Sequence, residues 1–170
     1  MVHLGKSTER AMAMDDRVWR RHANPWSVYT RIPLLLLFAL AIWSRAWIGW
    51  CAAPIVALLL VWTWVNPRVF PAPKNPDTWA SKATFGERVW LNAKAGPIPQ
   101  SHARWALGLS AASALAMLPM AYGLYVFDPF AAFLGAALAS VLKLWFVDRM
   151  ARLFDDMKDK HPPYRLWLES

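Results

Sequence analysis

Residues 46–65 run for 20 positions without a charged side chain, residues 105–127 for 23, and residues 130–147 for 18 with Lys143 as the one interruption. A helix rises about 1.5 Å per residue and a bilayer's hydrocarbon core is about 30 Å thick, so about 20 apolar residues cross it. Three such stretches restrict this chain more than any motif does. Backbone polar groups in lipid must find partners within the segment, and helices are the economical solution. A fourth stretch, residues 32–44, has only 13 uncharged positions between Arg31 and Arg45. It lengthens to 19, residues 26–44, when Arg31 stretches toward the headgroups, a reading favoured over a re-entrant half-helix.

The expected fold is therefore all-α: a polytopic membrane protein with four transmembrane helices in two hairpins plus an interfacial amphipathic segment. The spans are placed at 26–44, 46–65, 105–127 and 130–147. Residues 1–25 form a cytoplasmic N-terminal segment, 66–104 a cytoplasmic proline-rich and amphipathic linker, and 148–170 a cytoplasmic tail, all in one membrane domain. The first span is expected to serve as an uncleaved insertion signal, since no apolar core precedes a small-residue cleavage site in residues 1–31.

Composition agrees with this reading. The 170 residues are 57% hydrophobic and 18% charged, whereas a soluble domain is nearer a quarter charged. Net charge is +8, and its distribution decides what that means. Six Lys and Arg fall in residues 1–31, six in 66–104 and five in 148–170, while the two short turns hold only Arg45. The positive-inside rule then puts both termini and the linker in the cytoplasm of a cell with an inner (plasma) membrane. Topology absorbs the excess charge, and no nucleic-acid partner is expected, because no RNP, zinc-finger or helix-turn-helix signature is present. Cys51 is the sole cysteine, which excludes an internal disulfide and every CxxC site.

The 12 tryptophans fit the same plan. Trp43, Trp47 and Trp50 lie at the outer end of the first hairpin, and Trp19, Trp26, Trp62, Trp64, Trp79, Trp90, Trp105, Trp145 and Trp167 near the inner interface. Indole prefers the headgroup level, so an aromatic belt is expected. In the linker, Pro67, Pro71, Pro73 and Pro76 impose an extended spacer. Asp77 or Thr78 then caps a helix toward Asn92, with Trp79, Ala83, Gly86 and Trp90 on one membrane-facing stripe and Gly86 a weak point that divides it into two pieces. A further helix is expected at 7–22, ending in a bend before Pro25, and span four is expected to continue as helix through Asp159.

Several polar groups fall at the cytoplasmic ends of these spans: His22, Asn24, Asn66, Glu87, His102 and Asp148. Two histidines with carboxylates are ordinary ligands for Zn²⁺ or Fe²⁺, which makes His22 and His102 candidate metal ligands. No His-x-x-x-His spacing assembles them on one helix, and polar residues at helix ends are otherwise commonplace. No cofactor is legible. Lys143 is the intramembrane charge; it either snorkels to the cytoplasmic headgroups or forms an anion or proton site. Arg45 and Asp128 occupy the two outer turns, where they are expected to pair or to be solvated. Ser81-Lys82 lacks the positioning context of a catalytic serine–lysine pair.

The sequences His22-Ala23-Asn24-Pro25-Trp26-Ser27, Trp64-Val65-Asn66-Pro67-Arg68-Val69-Phe70, Trp79-Ala80-Ser81-Lys82 with Gly86-Glu87-Arg88, and Lys143-Leu144-Trp145-Phe146-Val147-Asp148-Arg149-Met150 together resemble a family of small uncharacterised prokaryotic four-span membrane proteins, a domain of unknown function. The resemblance covers about residues 20–157 and implies four spans; the family has no assigned activity, so no catalytic residue follows from it. The expected function is a non-catalytic accessory or assembly subunit in the lipid bilayer, packing against a membrane-protein partner or as a homo-oligomer. The alternatives are a metal-dependent membrane enzyme acting at the cytoplasmic interface on a lipid-like substrate, through His22, His102, Glu87 and Asp148, and a small oligomeric transporter or channel with Lys143 in its path.

Overall fold

The computed structural model describes residues 15–93 and 97–169. Every regular element among them is helical: α1 (Asp16–His22), α2 (Pro25–Tyr29), α3 (Leu34–Trp43), α4 (Arg45–Ile48), a 3-10 turn (Gly49–Cys51), α5 (Ala52–Val69), α6 (Trp79–Leu91), α7 (Gln100–Val126), α8 (Pro129–Met157) and α9 (Pro162–Glu169). Three helical stretches are long and apolar enough to cross a membrane: Pro25–Val69, Gln100–Val126 and Pro129–Met157. The first of these includes the regions that the sequence divides into spans 26–44 and 46–65.

Residues 26–44 are not one continuous helix. The chain leaves the helical path at residues 30–33 and resumes at Leu34, so α3 has 10 residues. Pro33 is the reason: it brings no amide hydrogen, and it biases Ile32 away from the helical region. A second interruption follows at Gly49, whose φ of +56° lies in the region that favours glycine.

The chain divides into two compact units, to which α5, α7 and α8 each contribute residues on both sides of the division. The first comprises Met1–Tyr29, Asn66–Ala106 and Val147–Ser170. Its interior is aromatic and sulfur-rich, with Phe85, Met150, Leu153, Phe154 and Met157 almost fully buried. The Trp167 ring lies 5.8 Å from Phe85 and stacks on Phe154 at 6.4 Å. Trp19 is 4% exposed, so it belongs to this core and not to an interfacial belt.

Helix α6 departs from the sequence expectation in the same direction. Thr78 caps it, accepting from Ser81 N at 3.2 Å, and it runs unbroken through Gly86 to Leu91. Ala80, Ser81, Ala83, Thr84, Phe85, Gly86 and Val89 are all buried, so the helix is part of the unit's interior and presents no single tryptophan stripe to a membrane surface. Gly86 is required by packing: a Cβ there would stand 1.8 Å from the Met150 carbonyl oxygen of α8. The helix-propensity cost of glycine is outweighed by that close approach.

Helix α1 begins at Asp16 because Asp15 caps it, its Oδ1 accepting from Val18 N at 2.8 Å. The part of the expected 7–22 helix before residue 15 lies outside the described residues. Helix α8 ends at Met157, with Asp159 in the turn that follows.

The second unit comprises Thr30–Val65 and Leu107–Phe146. Its core is Ala39, Met120, Leu124, Ala132 and Ala136, with Leu35, Ile42, Trp43 and Phe133 against it. Small residues let the α7 and α8 backbones touch. A Cβ on Gly123 would meet Ala132 N at 2.2 Å, and one on Gly135 would meet Met120 N at 2.4 Å. Ser113 Oγ donates to the Ala139 carbonyl at 3.0 Å across the same pair.

Arg45 and Asp128 do not pair with each other; each serves a helix end. Arg45 donates to the Leu124 carbonyl in the last turn of α7 and lies 4.5 Å over the Phe127 ring. Asp128 Oδ1 accepts from Phe130 N at 2.9 Å and Ala131 N at 3.3 Å, capping α8. Cation at a C-terminus and carboxylate at an N-terminus are the placements the helix dipole favours, each contributing about 0.3–1 kcal/mol.

Two glycine substitutions check the packing. Gly86→Ala should destabilise the protein by about 2 kcal/mol or more, since the backbone it strikes has nowhere to go. Gly108→Ala, where an added Cβ meets nothing within 4 Å, should be neutral or stabilising by up to about 1 kcal/mol. Thermal unfolding in detergent, followed by circular dichroism, reads both; equal midpoints would contradict the close approach.

Candidate functional site

The Asn24-Pro25 bend carries the most connected set of polar side chains. Asn24 accepts from Trp26 N through Oδ1 at 2.9 Å, which closes the turn before α2, and donates through Nδ2 to the Pro71 carbonyl at 3.1 Å. Arg21 Nε donates to the Phe70 carbonyl at 2.9 Å. Prolines remove donors from residues 67–76, so the carbonyls there need external donors, and Arg21 and Asn24 supply them.

Behind that bend lies a buried chain. Ser27 Oγ donates to Asn66 Oδ1 at 2.8 Å and meets His22 Nδ1 at 2.8 Å, with all three residues buried. A hydroxyl has one proton, and with Asn66 taking it, His22 Nδ1 must be the donor on the other side. The serine is thus held as a bridge, and its proton is directed to an amide oxygen and away from the imidazole. The geometry fits a structural lock between α2 and the end of α5 better than an activated nucleophile, which needs the base to accept.

The remaining sequence candidates divide into separate sets. His102 Nε2 meets Asp156 Oδ2 at 2.7 Å, and His102 Nδ1 is buried without a hydrogen-bond partner among the described residues. Asp148 accepts from Trp79 Nε1 at 3.2 Å and from Arg152 Nε at 2.9 Å. Glu87 is half-buried on α6. Among the described residues no group of three or more His, Cys, Asp and Glu is placed to hold a metal ion. The structure therefore joins His22 to Asn66 through Ser27, sets Asn24 beside them, and gives His102 and Asp148 partners of their own.

Ser27 and Asp156 are the residues that sequence reasoning missed. Ser27 had a usable signal, standing three positions after Asn24 in a proline bend where a small hydroxyl points back at the preceding helix. Asp156 had none of comparable strength.

Ser81 and Lys82 likewise serve different contacts. Ser81 Oγ donates to the Ala23 carbonyl at 2.7 Å. Lys82 Nζ stands 2.8 Å from Asp77 and 3.3 Å from Asp155. The hydrogen bond to Asp77 raises the Lys82 pKa above its ordinary 10.5; burial opposes this, and Asp155 adds to the rise.

A scan of protein families matches this chain over residues 4–166 to a family described only as being of unknown function. The chain belongs to that family, DUF6653. The match extends the region of resemblance to α9 and into the N-terminal segment. No curated protein and no solved structure gives a significant match. Membership in DUF6653 fixes no reaction, so function has to be argued from the residues.

Ser27→Ala removes the shared partner of His22 and Asn66 and should cost about 2 kcal/mol, read as a lower unfolding midpoint with helical content retained. An unchanged midpoint would mean that the chain of bonds contributes nothing. For Lys82, a pKa raised on folding gives stability that is complete below 10.5 and is lost as pH climbs through the higher folded value. Lys82→Met should therefore be less stable than the parent at pH 7, with the gap closing above about 10.5; a gap independent of pH would assign the effect to packing alone.

Proposed function

We propose that the protein is a multi-pass protein of the inner (plasma) membrane, crossing four times as two hairpins with both termini and the central segment cytoplasmic. It acts as a non-catalytic accessory or assembly subunit, packing in the bilayer against a membrane-protein partner or a second copy of itself. Charge distribution supports the topology. The second unit holds Arg31, Arg45, Asp128 and Lys143 as its only charged residues, and the first holds all the others. Lys143 lies on the exposed side of α8 with Nζ 4.3 Å over Phe146, one turn toward the C-terminal end, the direction that snorkelling to a cytoplasmic headgroup layer requires.

The observation that carries the function is where the polar groups are spent. Arg21, Asn24 and Ser81 bond backbone carbonyls and Ser27 bonds the Asn66 and His22 side chains, which leaves apolar helix surface as the main thing the chain presents. On α5, Ile55, Leu58, Leu60, Val61 and Trp64 are all exposed, at 42–69%. An apolar helix covered so little by its own chain suits lipid along most of its length and a neighbouring helix along the rest.

Isolation of the tagged full chain from native membranes in mild detergent tests both parts. A stoichiometric protein partner or a defined homo-oligomer is expected, together with reporters at residues 45 and 128 that read out outside the cytoplasm. A lone monomer carrying bound metal would overturn the accessory role, and a cytoplasmic signal from either reporter would overturn the topology.

A further inference from the structure

We propose that Arg149 and Trp105 form a binding site for the phosphate of an anionic phospholipid headgroup. The proposal rests on the membrane-spanning reading above and adds a specific ligand to it. Arg149 is half-buried on α8, its guanidinium carbon 5.3 Å from the centre of the Trp105 ring of α7. Its Nε is buried with no hydrogen-bond partner among the described residues. Guanidinium does not deprotonate in proteins, so the charge persists and calls for an anion.

The aspartates of the same unit are already engaged. Asp16 pairs with Arg88, Asp77 and Asp155 with Lys82, and Asp156 with His102. Asp148, next to Arg149 in sequence, is taken by Arg152 and Trp79. Arg21 and Arg45, by contrast, have carbonyl acceptors. Arg149, with its buried Nε lacking an acceptor among the described residues, stands where the apolar runs end: it is the second residue past run 130–147, and Trp105 is the first residue of run 105–127. That is headgroup level for both.

The chemistry selects the ligand. The planar fork of a guanidinium matches two oxygens of a phosphodiester, and the indole beneath it holds the fork while its own ring rests against acyl chains. Trp105 is 45% exposed, which leaves room for that contact. A zwitterionic headgroup carries its own cation, which offsets the attraction, so phosphatidylglycerol is favoured over phosphatidylcholine. The same phosphate chemistry is offered by the soluble anion, which lacks the acyl chains.

Native mass spectrometry of the full chain released from mixed phosphatidylglycerol and phosphatidylcholine nanodiscs tests this. One retained phosphatidylglycerol is expected, preferred about tenfold over phosphatidylcholine, with the preference reduced about tenfold in Arg149→Gln. Arg149→Lys should fall between, keeping the charge and losing the fork, and Trp105→Leu should weaken retention with the charge intact. Detergent elution and helical content confirm that each variant is folded, and the two milder variants decide the matter if Arg149→Gln is not. Equal retention of the two lipids, or parental retention in the folded variants, would overturn the site. So would millimolar inorganic phosphate that displaces the lipid and reproduces its stabilisation, which would assign the anion to solution. Release of the chain from membranes by alkaline carbonate without detergent would instead sink the membrane reading itself; a chain that needs detergent yet shows no lipid preference loses only this proposal.

Discussion

A backbone amide packed among apolar side chains has no water to turn to, and the rest of this structure follows from how its helix ends meet that constraint. A helix satisfies its own interior but leaves four donors and four acceptors open at its ends. At the turn between α7 and α8 the chain meets the demand with few residues. Phe127 adopts a positive φ of 59°, and Asp128 N reaches back to the Gly123 carbonyl at 2.9 Å, a closure of the Schellman kind. Arg45 takes the Leu124 carbonyl, and the Asp128 carboxylate takes two amides of α8. Two opposite charges in short turns look like a salt bridge in sequence. As helix caps they satisfy more groups than a pair would.

The same economy governs the helix interiors. Ser140 Oγ donates to the Ala136 carbonyl and Thr63 Oγ1 to the Leu59 carbonyl, each at 2.8 Å. These hydroxyls use acceptors on their own helix four residues back, so a serine or threonine in an apolar stretch needs no partner helix. Ser113 instead crosses to Ala139, next to the contacts that Gly123 and Gly135 permit. Close backbone approach is thus what turns a hydroxyl from a local group into a contact between helices.

Most of the architecture was legible because it rests on length and hydropathy, which are properties of segments. The long apolar runs, the Thr78 cap and the Asn24-Pro25 bend all follow from local rules. Expectations failed where a partner distant in sequence decided the outcome. Gly86 looks like a flaw in α6 until the Met150 backbone is placed against it, and Trp19 looks interfacial until Arg88 is found 5.9 Å over its ring and the core around it. The single continuous helix expected over residues 26–44 is broken for the opposite reason: Pro33 is a local signal, and it outweighs the hydropathy of its neighbours. Of the six polar candidates at the helix ends, His22 and Asn66 meet through Ser27, a residue that carries no charge and no ligand chemistry to draw attention to it.

That grouping also shows why residue type alone points so readily to catalysis at the ends of apolar helices. Histidine, asparagine and serine are the side chains that can both give and accept a hydrogen bond, and a bend between helices needs such groups because it interrupts the backbone ladder. A catalytic set needs the same groups with one change, a proton free to travel from nucleophile to base. In the chain from His22 through Ser27 to Asn66 the directions are fixed by what the last member can accept, so each proton has a single destination. Proton direction, more than proximity, separates a lock from an active site, and here it favours the lock.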